Sequence, residues 1–522
     1  MTGAALTALA QPALPQSTAA DSVTMTVSAS QSGSVINRNI FGQFAEHLGS
    51  GIYGGIWVGK DSKIPNIRGI RSDVVAALKA IRVPNVRWPG GCFADEYHWR
   101  DGIGTADKRA VRVNTNWGGA AEPNSFGTDE FMDFAQQVGT EAYVSVNVGS
   151  GTVAEAADWM AYMTADQSST AGKERAANGH AAPYKVKFLG LGNESWGCGG
   201  SMRPDHYIDL MKRFARFTHN FNPAQQKGDD VMQRIAVGPT DGDATYTEAV
   251  MKAWKDHDWA WNIEGISLHS YTTDGWPPHL ASTGFDQNDY AKLIRATLKM
   301  NGLIDQHSAI MDKYDPEKKI ALAIDEWGAW LAPLPGTDPG FLVQQNSLRD
   351  GILAALNINI FARHADRVRM TNIAQMINVL QAMILTDKEK MVLTPTYYVY
   401  KMYVPFQDAT FVPVNFDAGS FLQGDVRLPR VDAIAARGKD GKLWLALVNI
   451  DPNKTVHITA RFDGLNVKSA KGDVLTGASV ASINDFGVPD TVTPRPFSGK
   501  VDNGGVAFDL PSKSVTVVQI GS

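Results

Sequence analysis

The sequence predicts a (β/α)8 barrel joined to a β-sandwich, and two patterns carry this prediction. Between about residues 37 and 390, short apolar runs alternate with amphipathic helical segments, which is typical of parallel strand–helix units. Beyond about residue 390 the helical pattern stops, and short alternating strands follow, separated by clusters of Gly, Asp, Asn and Pro. The length of 522 residues also exceeds what one core usually holds, so two domains are expected.

The predicted barrel has eight strands, each a short apolar run that stops at polar or Gly-rich sequence. They lie at residues 40–47, 85–88, 142–148, 186–192, 234–237, 265–270, 320–324 and 370–374. Helices are expected at residues 73–81, 128–138, 153–163, 204–217, 286–300 and 344–363. The barrel then occupies residues 37–390, and its active site is expected at the carboxyl ends of the strands.

The predicted sandwich combines the two ends of the chain. Its C-terminal strands are expected at residues 431–436, 443–449, 455–460, 505–510 and 514–520. Residues 23–30 (V-T-M-T-V-S-A-S) also alternate apolar and polar side chains, as a half-buried strand does. Because this strand stands apart from the barrel pattern, we expect it to join the sandwich, which would comprise residues 21–36 and 391–522.

Composition and charge narrow the class of protein. Hydrophobic residues make up 44% and charged residues 20%, which is ordinary for a globular chain. The net charge of −5 comes without a basic stripe, so no nucleic-acid partner is expected. No run approaches the roughly 18–20 apolar residues of a membrane helix, so no membrane partner is expected either.

The first 20 residues are small, apolar and uncharged, and they resemble the end of an export signal whose basic segment is missing. A disordered start and a misassigned initiation site are the alternatives. We expect a periplasmic or secreted protein, with a cytoplasmic one as the alternative.

The chain has two cysteines, Cys92 and Cys198. Two cysteines do not make a disulfide framework, and a cysteine metal site would need more ligands close together. Both lie in Gly-rich sequence, P-G-G-C-F and W-G-C-G-G, so a single bridge would fit these loops. Of the two states, we expect free thiols.

Two glutamates, Glu194 and Glu326, each follow a short apolar run and precede sequence that contains tryptophan. A carboxylate at the carboxyl end of a barrel strand is placed for chemistry rather than for packing. Two such carboxylates in one chain suggest the catalytic pair of a glycosidase. The alternative is that they cap loops or pair with arginines, but the shared pattern favours the catalytic interpretation.

Six predicted strands end in polar side chains, and a barrel would bring these ends to one rim. No H-x-H or H-E-x-x-H spacing supports a metal at the two histidines of this set, so no metal or cofactor is expected. In chain order the set is Glu46 with His47, Arg87 with Cys92, Asn193 with Glu194, His269 with Tyr271, Glu326, and Gln375.

The two glutamates would have different tasks. A retaining glycosidase needs one carboxyl that protonates the leaving oxygen and another, about 5–5.5 Å away, that attacks the anomeric carbon. The nucleophile must stay charged, and Arg87 is the expected partner. Asn193 precedes Glu194, and an asparagine beside the acid/base can hydrogen-bond a sugar 2-hydroxyl. On that argument Glu194 is the acid/base and Glu326 is the nucleophile.

Aromatic side chains beside these strand ends have two interpretations. Trp327 and Trp330 follow the strand that carries Glu326, and tryptophans in this place suit the apolar face of a sugar, although either could belong to the core. Tyr271 could hydrogen-bond the nucleophile or only pack.

Six short motifs follow one another along the chain. They are G-Q-F-A-E-H at 42–47, R-W-P-G-G-C-F at 87–93, G-N-E-S-W-G-C-G-G at 192–200, H-S-Y at 269–271, D-E-W-G-A-W at 325–330 and N-I-A-Q at 372–375. Together they resemble glycoside hydrolase family 51, the α-L-arabinofuranosidases. The motifs come in the family's order, and the resemblance covers nearly the whole chain, sandwich included.

The resemblance implies a barrel with its catalytic glutamates on strands four and seven and retention of configuration at the anomeric carbon. It implies Glu194 as acid/base and Glu326 as nucleophile, and it also implies a homo-oligomer, often a hexamer. The further residues that it implies as contacts of the arabinofuranosyl ring are Glu46, Arg87, Cys92, Trp117, Asn193, Tyr271, Trp330 and Gln375.

The resulting hypothesis is a retaining, exo-acting α-L-arabinofuranosidase that removes terminal non-reducing arabinofuranosyl groups from arabinoxylan, arabinan or derived oligosaccharides. One alternative is an endo-β-glucanase or xylanase on the same scaffold, which would have an open groove instead of a closed pocket. The other alternative is a non-catalytic carbohydrate-binding protein, and the intact pair of carboxylates argues against it.

Overall fold

A computed structural model describes residues 22–502 and 504–522 of the chain. The prediction of an export-signal remnant or a disordered start at residues 1–20 lies outside the described residues. Within the described part, no helix combines the length and the apolar character that crossing a membrane requires.

Eight parallel strands close into a barrel in chain order, with the first strand paired to the second and to the eighth. The predicted (β/α)8 barrel is therefore confirmed. Strands one to eight are Gly42–Phe44, Asn85–Trp88, Glu141–Val146, Phe188–Leu191, Gln233–Ala236, Gly265–Thr272, Ala321–Ala329 and Val368–Ile373.

Helices surround the barrel and bury one face against it. The α-helices of this region are Ser72–Ala80, Thr128–Val138, Val153–Thr164, Thr170–Ala177, Pro204–Phe217, Ala244–Lys255, Gln287–Tyr314 and Leu348–Arg363. Of these, Thr170–Ala177 and Ala244–Lys255 were not predicted. In Ala244–Lys255, Asp243 caps the first turn by accepting hydrogen bonds from two backbone N–H groups. Its buried face (Tyr246, Val250, Trp254) has the helical spacing that could have revealed it.

Two sheets form the sandwich, antiparallel except for one parallel pair in the first sheet, and their inner faces share one apolar core. The N-terminal strand Ser22–Val27 lies inside the first sheet, parallel to Val456–Phe462, so the predicted union of the two chain ends is confirmed. The first sheet has the order Val414–Phe416, Ser22–Val27, Val456–Phe462, Gly505–Leu510 and Lys500–Asp502. The second has the order Thr410–Val412, Val431–Arg437, Leu443–Asn449, Ser514–Gly521, Ser469–Leu475 and Arg495–Ser498.

The expectation that helices stop near residue 390 was wrong, because the helix Pro395–Tyr403 follows. Thr394 caps it, and Pro395 occupies the first turn, where its missing N–H costs nothing. Eight of its nine residues are buried, so the helix lacks the polar face by which amphipathic helices are recognised. It packs between the helix Leu348–Arg363 and the second sheet of the sandwich.

The remaining strands of the described residues form four small hairpins in the loops. They are Asn66–Ile67 with Ile70–Arg71, Arg112–Val113 with Ala121–Glu122, Ile384–Asp387 with Lys390–Leu393, and Ser420–Gln423 with Val426–Pro429.

The inside of the barrel is filled beneath its carboxyl end. Tyr143, Phe188, Ile235, Ala323 and Met370 form a separate buried cluster there. The hydroxyl of Tyr143 rises from this layer and donates to Asp325 Oδ2 at 2.6 Å. The rim above therefore rests on a layer of packed side chains.

Candidate active site

A small pocket, with a volume of about 40 Å³, opens at the carboxyl end of the barrel. Eight of the ten predicted site residues line it, and the other two, Arg87 and Asn193, lie almost fully buried beside it. The lining residues are Glu46, Cys92, Trp117, Glu194, Tyr271, Glu326, Trp330 and Gln375, together with Leu48, Gly91, Leu342 and Leu380.

Both carboxylate oxygens of Glu326, on strand seven, are held by donors from other strands. Arg87 Nη1, from strand two, donates to Oε1 at 2.7 Å, and the Tyr271 hydroxyl, from strand six, donates to Oε2 at 2.8 Å. Burial alone would lower the pKa of Arg87, but the carboxylates of Asp325 and Glu326 raise it, so the guanidinium stays charged. Glu326 is therefore fixed in orientation and paired with a permanent cation.

Glu194 follows strand four and has different neighbours. His269 Nδ1 lies 2.8 Å from its Oε1. Burial raises the pKa of Glu194 and the charge of Glu326 raises it further, while the hydrogen bond from His269 opposes them. A carboxyl oxygen of Glu194 lies within 4.8 Å of one of Glu326. The site thus holds two close carboxyl groups, and the pKa of one of them, Glu194, lies above its usual value.

His269 joins three carboxyl groups, a role that the sequence did not reveal. Its Nδ1 faces Glu194 and lies 3.5 Å from Glu326 Oε2, and its Nε2 lies 3.2 Å from Asp325 Oδ1. Burial would lower the pKa of His269, but Glu326, Asp325 and Glu194 outweigh it and raise it to about 10. Burial also acts to raise the pKa of Asp325, but Arg87 and His269 bring it below its usual range. The imidazolium therefore belongs to the catalytic cluster.

Glu46 organises the opposite wall of the pocket. Its Oε1 accepts from the Phe93 N–H at 3.0 Å and the Trp117 indole at 2.9 Å, and its Oε2 accepts from Gln375 Nε2 at 3.0 Å. Burial and the charge of Glu326 raise the pKa of Glu46 to about 7, although the hydrogen bonds from Phe93 and Trp117 act to lower it. A Cβ at Gly90 would lie 2.5 Å from the Glu46 side chain, which explains a glycine at this position.

Three aromatic rings form the outer wall. The rings of Tyr271 and Trp330 meet edge to face with centroids 4.8 Å apart, and Trp276 meets Trp330 in the same way at 4.9 Å. Trp276 is 59% exposed and was not predicted as a site residue. Trp327, the second tryptophan considered after strand seven, is fully buried against Phe361 and belongs to the core.

The expectation of free thiols was wrong, because Cys92 and Cys198 form a disulfide with their Cα atoms 5.5 Å apart. The two positions are separated by 106 residues. The barrel brings them together because the loops after strands two and four end at the same rim. Sequence spacing gives no measure of that distance in space. The bonded Cys92 still lines the pocket.

His47 lies outside the pocket, in a buried network with structural partners. The Trp88 indole donates to its Nε2 at 3.1 Å, so its Nδ1 carries the proton and donates to Glu122 Oε2 at 2.9 Å. Both ring nitrogens are therefore occupied by protein groups.

Comparison with known proteins identifies the family. Residues 77–277 match the model of the alpha-L-arabinofuranosidase 1 domain, and residues 325–514 match that of the alpha-L-arabinofuranosidase C-terminal domain. The chain is 46% identical over 502 residues to the "Intracellular exo-alpha-L-arabinofuranosidase" of Bacteroides ovatus, with 96% of each chain covered.

The chain belongs to glycoside hydrolase family 51.

Solved structures agree with this family 51 assignment. The GH51 arabinofuranosidase from Xanthomonas axonopodis pv. citri superposes with a TM-score of 0.92 at 50% identity, over 96% of this chain and 100% of that one. An arabinose complex of the alpha-L-arabinofuranosidase from Thermotoga maritima gives a TM-score of 0.80 at 31% identity, over 95% and 99%. The protein is thus an α-L-arabinofuranosidase, a glycoside hydrolase, as the sequence motifs predicted.

The individual roles of the site residues in this family 51 enzyme stay predictions, but the structure shows which of them are neighbours. Sequence reasoning placed His269 at the rim without a role, and it missed Asp325 as a member of the cluster and Trp276 at the rim. The first two stand next to predicted residues in the motifs H-S-Y and D-E-W, at strand ends, which was the available signal. Trp276 follows strand six in a loop that carries no motif.

Proposed function

We propose that this enzyme is a retaining, exo-acting α-L-arabinofuranosidase that releases terminal non-reducing arabinofuranosyl groups from arabinoxylan, arabinan or oligosaccharides derived from them. The observation that carries the proposal is the approach of the Glu194 and Glu326 carboxyl oxygens to within 4.8 Å inside a small pocket. Carboxyl groups about 5–5.5 Å apart favour retention, whereas inversion needs about 6.5–9.5 Å to admit a water molecule.

The first chemical step follows from the two environments. The Glu326 carboxylate attacks the anomeric carbon while Glu194 gives its proton to the glycosidic oxygen. The bond from the anomeric carbon to the leaving group breaks, and an ester to Glu326 forms. Because Arg87 Nη1 and the Tyr271 hydroxyl hold the two Glu326 oxygens, the attacking carboxylate meets the sugar in one orientation.

The second step uses the same two residues with reversed proton transfer. Glu194, now a carboxylate, takes a proton from water, and the hydroxide attacks the anomeric carbon and frees Glu326. Formation of the ester has removed the charge of Glu326, which had raised the pKa of Glu194. The pKa of Glu194 therefore falls after the first step and suits a base in the second. Two inversions give net retention.

Exo action is supported by the size of the cavity. The cavity has a volume of about 40 Å³, and side chains from strand ends on different sides of the barrel line it, so it does not admit a stretch of polysaccharide. The name of the Bacteroides ovatus relative also contains "exo". An endo-β-glucanase or xylanase would need an open groove through the rim.

Sugar contacts are proposed for the pocket residues. Glu46 and Gln375 present polar groups to the ring hydroxyls, and Trp117 and Trp330 present aromatic surface. Asn193 can offer the sugar fewer hydrogen-bonding atoms than expected, because its Oδ1 accepts a hydrogen bond from Arg87 Nη2 at 2.5 Å. Only its Nδ2 would be available, as a donor, to the 2-hydroxyl.

The proposed activity is tested by incubation with 4-nitrophenyl α-L-arabinofuranoside, arabinan, arabinoxylan, soluble cellulose and unsubstituted xylan. We expect release of 4-nitrophenol and of free arabinose, with no shortening of the cellulose or xylan chain. Shortening of either chain without arabinose release would favour the endo-acting alternative. Binding of arabino-oligosaccharides without hydrolysis over days would favour the non-catalytic one.

We also propose export to an oxidising compartment and assembly into a homo-oligomer. The disulfide supports export, since such bonds persist mainly outside the reducing cytosol. The word "Intracellular" in the name of the Bacteroides ovatus relative favours the cytoplasmic alternative. Fractionation of the producing cells with an activity assay tests the first proposal, and light scattering coupled to size-exclusion chromatography tests the second, with a hexamer expected.

A further inference from the structure

The loop that carries Glu194 is attached to one short segment on both sides of the glutamate. The segment is the 3-10 helix Cys92–Glu96, in the loop after strand two. On one side, Asp95 Oδ2 accepts from the Asn193 N–H at 3.0 Å. On the other side, Cys198 is bonded to Cys92. Glu194 thus lies between a hydrogen-bonded anchor and a covalent one.

The segment Cys92–Glu96 is itself fixed to the barrel. Asp95 Oδ1 accepts from the N–H groups of Val148 and Gly149, both at 2.9 Å, in the loop after strand three. A Cβ at Gly199 would lie 2.5 Å from Asp95 Oδ2, so the two loops are in close contact. The disulfide therefore connects the Glu194 loop to a base that does not depend on that loop for its position.

The disulfide also contacts the acid/base directly. Cys198 Sγ lies 3.5 Å from Glu194 Oε2, while His269 Nδ1 lies 2.8 Å from Oε1. One oxygen is thus taken by the imidazolium, and the proton to be transferred belongs on Oε2, beside the sulfur. The sulfur and the imidazole confine the carboxyl group from two sides, so its rotation is restricted.

We propose that the Cys92–Cys198 disulfide is a positioning element that holds Glu194 for proton transfer, and that its reduction weakens acid catalysis. This inference rests on the proposed function, because it assigns the proton donor to Glu194. A dithiol reagent supplies the two electrons and two protons: the Sγ–Sγ bond breaks, two S–H bonds form, and the dithiol becomes a disulfide.

Reduction changes the surroundings of Glu194 for two reasons. Two non-bonded sulfur atoms must move apart, and Cys198 is flanked by Gly197, Gly199 and Gly200, which let this loop change conformation at low cost. In addition, a free thiol beside Oε2 can ionise, and a thiolate there would oppose the loss of the Glu194 proton. A reductant can reach the bond, since Cys198 is exposed at the rim and Cys92 is partly exposed.

The test compares two substrates that differ in their need for an acid. A 2,4-dinitrophenyl leaving group departs without protonation, whereas a phenyl leaving group needs it. We expect a dithiol to lower kcat/KM for phenyl α-L-arabinofuranoside at least about tenfold and to change that for the 2,4-dinitrophenyl substrate less than about twofold. Reoxidation is expected to restore the first value.

A variant without cysteines is a matched control for reduction, because the chain has two cysteines and both form this bond. The double variant Cys92→Ser, Cys198→Ser is expected to show the same selective loss of kcat/KM on the phenyl substrate. Addition of the dithiol should not change its activity further. Its circular dichroism spectrum and melting temperature show whether this variant folds. If it does not fold, the reversible reduction of the wild type tests the proposal by itself.

The outcomes separate the two proposals. If the oxidised wild type hydrolyses neither substrate, the proposed function fails. If it hydrolyses both, an equal loss on both substrates after reduction, or no loss on either, would overturn the positioning role. A selective loss on the phenyl substrate that reoxidation reverses supports it.

Discussion

The ends of barrel strands four and seven carry the same side chain, glutamate, in different electrostatic surroundings. Glu326 accepts hydrogen bonds on both oxygens, from the Arg87 guanidinium and from the Tyr271 hydroxyl. Glu194 accepts from His269 on one oxygen, and its other oxygen faces the sulfur of Cys198. The first is paired with a permanent cation, and the second lies where burial and a neighbouring charge raise its pKa.

This difference indicates that the catalytic role expected of each glutamate depends on its neighbouring side chains and not on its residue type. The cluster contains two cations, Arg87 and His269, and they offset the charges of Asp325 and Glu326. Glu194 then lies, largely buried, beside a group of balanced charges, and its ionisation would add an uncompensated charge. Changes at or around one glutamate should therefore have different effects from changes at or around the other. Four experiments test this difference.

The largest effect is expected for Glu326→Gly, which removes the nucleophile. We expect kcat to fall at least about 10⁴-fold, because the carboxylate that attacks the anomeric carbon is lost. Azide should restore turnover by entering the space left by the side chain, and the product should be the β-configured arabinofuranosyl azide. The matched control is Glu326→Gln, which keeps the volume filled and should not respond to azide. Activity like that of the wild type in either variant would contradict the assignment.

Glu194→Ala comes second, and its effect should depend on the leaving group. For phenyl α-L-arabinofuranoside we expect kcat/KM to fall about 10²- to 10⁴-fold, since protonation of the leaving oxygen is lost. For the 2,4-dinitrophenyl substrate we expect a much smaller fall in kcat/KM, because its leaving group departs without protonation. Steady-state kinetics on both substrates measure the contrast. Equal losses on the two would show that Glu194 acts in binding or folding rather than as an acid.

His269→Asn should disturb Glu194 through its pKa and lower kcat/KM by about tenfold. The hydrogen bond and charge of His269 lower the pKa of Glu194, so their removal raises it. Glu194 must be protonated for the first step, and activity is lost as pH rises through its pKa. The basic limb of kcat/KM should therefore move to higher pH. A basic limb that stays in place or moves to lower pH would refute this account.

A matched control for the imidazole is His457→Asn. His457 is exposed on the sandwich, where it pairs with Asp509. This variant should keep the pH profile of the wild type, which would separate the local effect of His269 from a general effect of histidine loss.

The smallest effect is expected at the rim, for Trp276→Ala. Trp276 is 59% exposed and extends the aromatic wall of Trp330, so it offers a surface to the sugar beyond the cleaved bond. We expect kcat/KM for an arabinoxylo-oligosaccharide to fall about three- to tenfold. Trp259→Ala is the control, because Trp259 is 89% exposed but lies outside the pocket. A similar loss of kcat/KM in both variants would show that Trp276 has no specific role in substrate binding.

The sequence predicted the regular parts of the fold closely, because their apolar patterns are local. Strand Asn85–Trp88 and helices Thr128–Val138 and Pro204–Phe217 agree with the prediction to the residue. Helix Pro395–Tyr403 was missed, because a helix buried on nearly all sides has no polar face to mark its period.

The site was predictable to the extent that strand ends converge in a barrel. The two glutamates and six of their proposed partners line one pocket as expected. Side-chain direction was not predictable: Trp330 faces the pocket while Trp327, three residues earlier, packs in the core. The bond between Cys92 and Cys198 and the contacts of His269 depend on distances between loops that only the closed barrel defines.

The central claim is that Glu326 attacks the sugar and Glu194 transfers the proton, in two successive displacements. Proton NMR of the first product formed from an aryl α-L-arabinofuranoside tests it most directly, with spectra recorded before mutarotation equilibrates the anomers. We predict that the α-anomer of arabinofuranose forms first and that the β-anomer grows in later. Initial formation of the β-anomer would show inversion and would contradict the account.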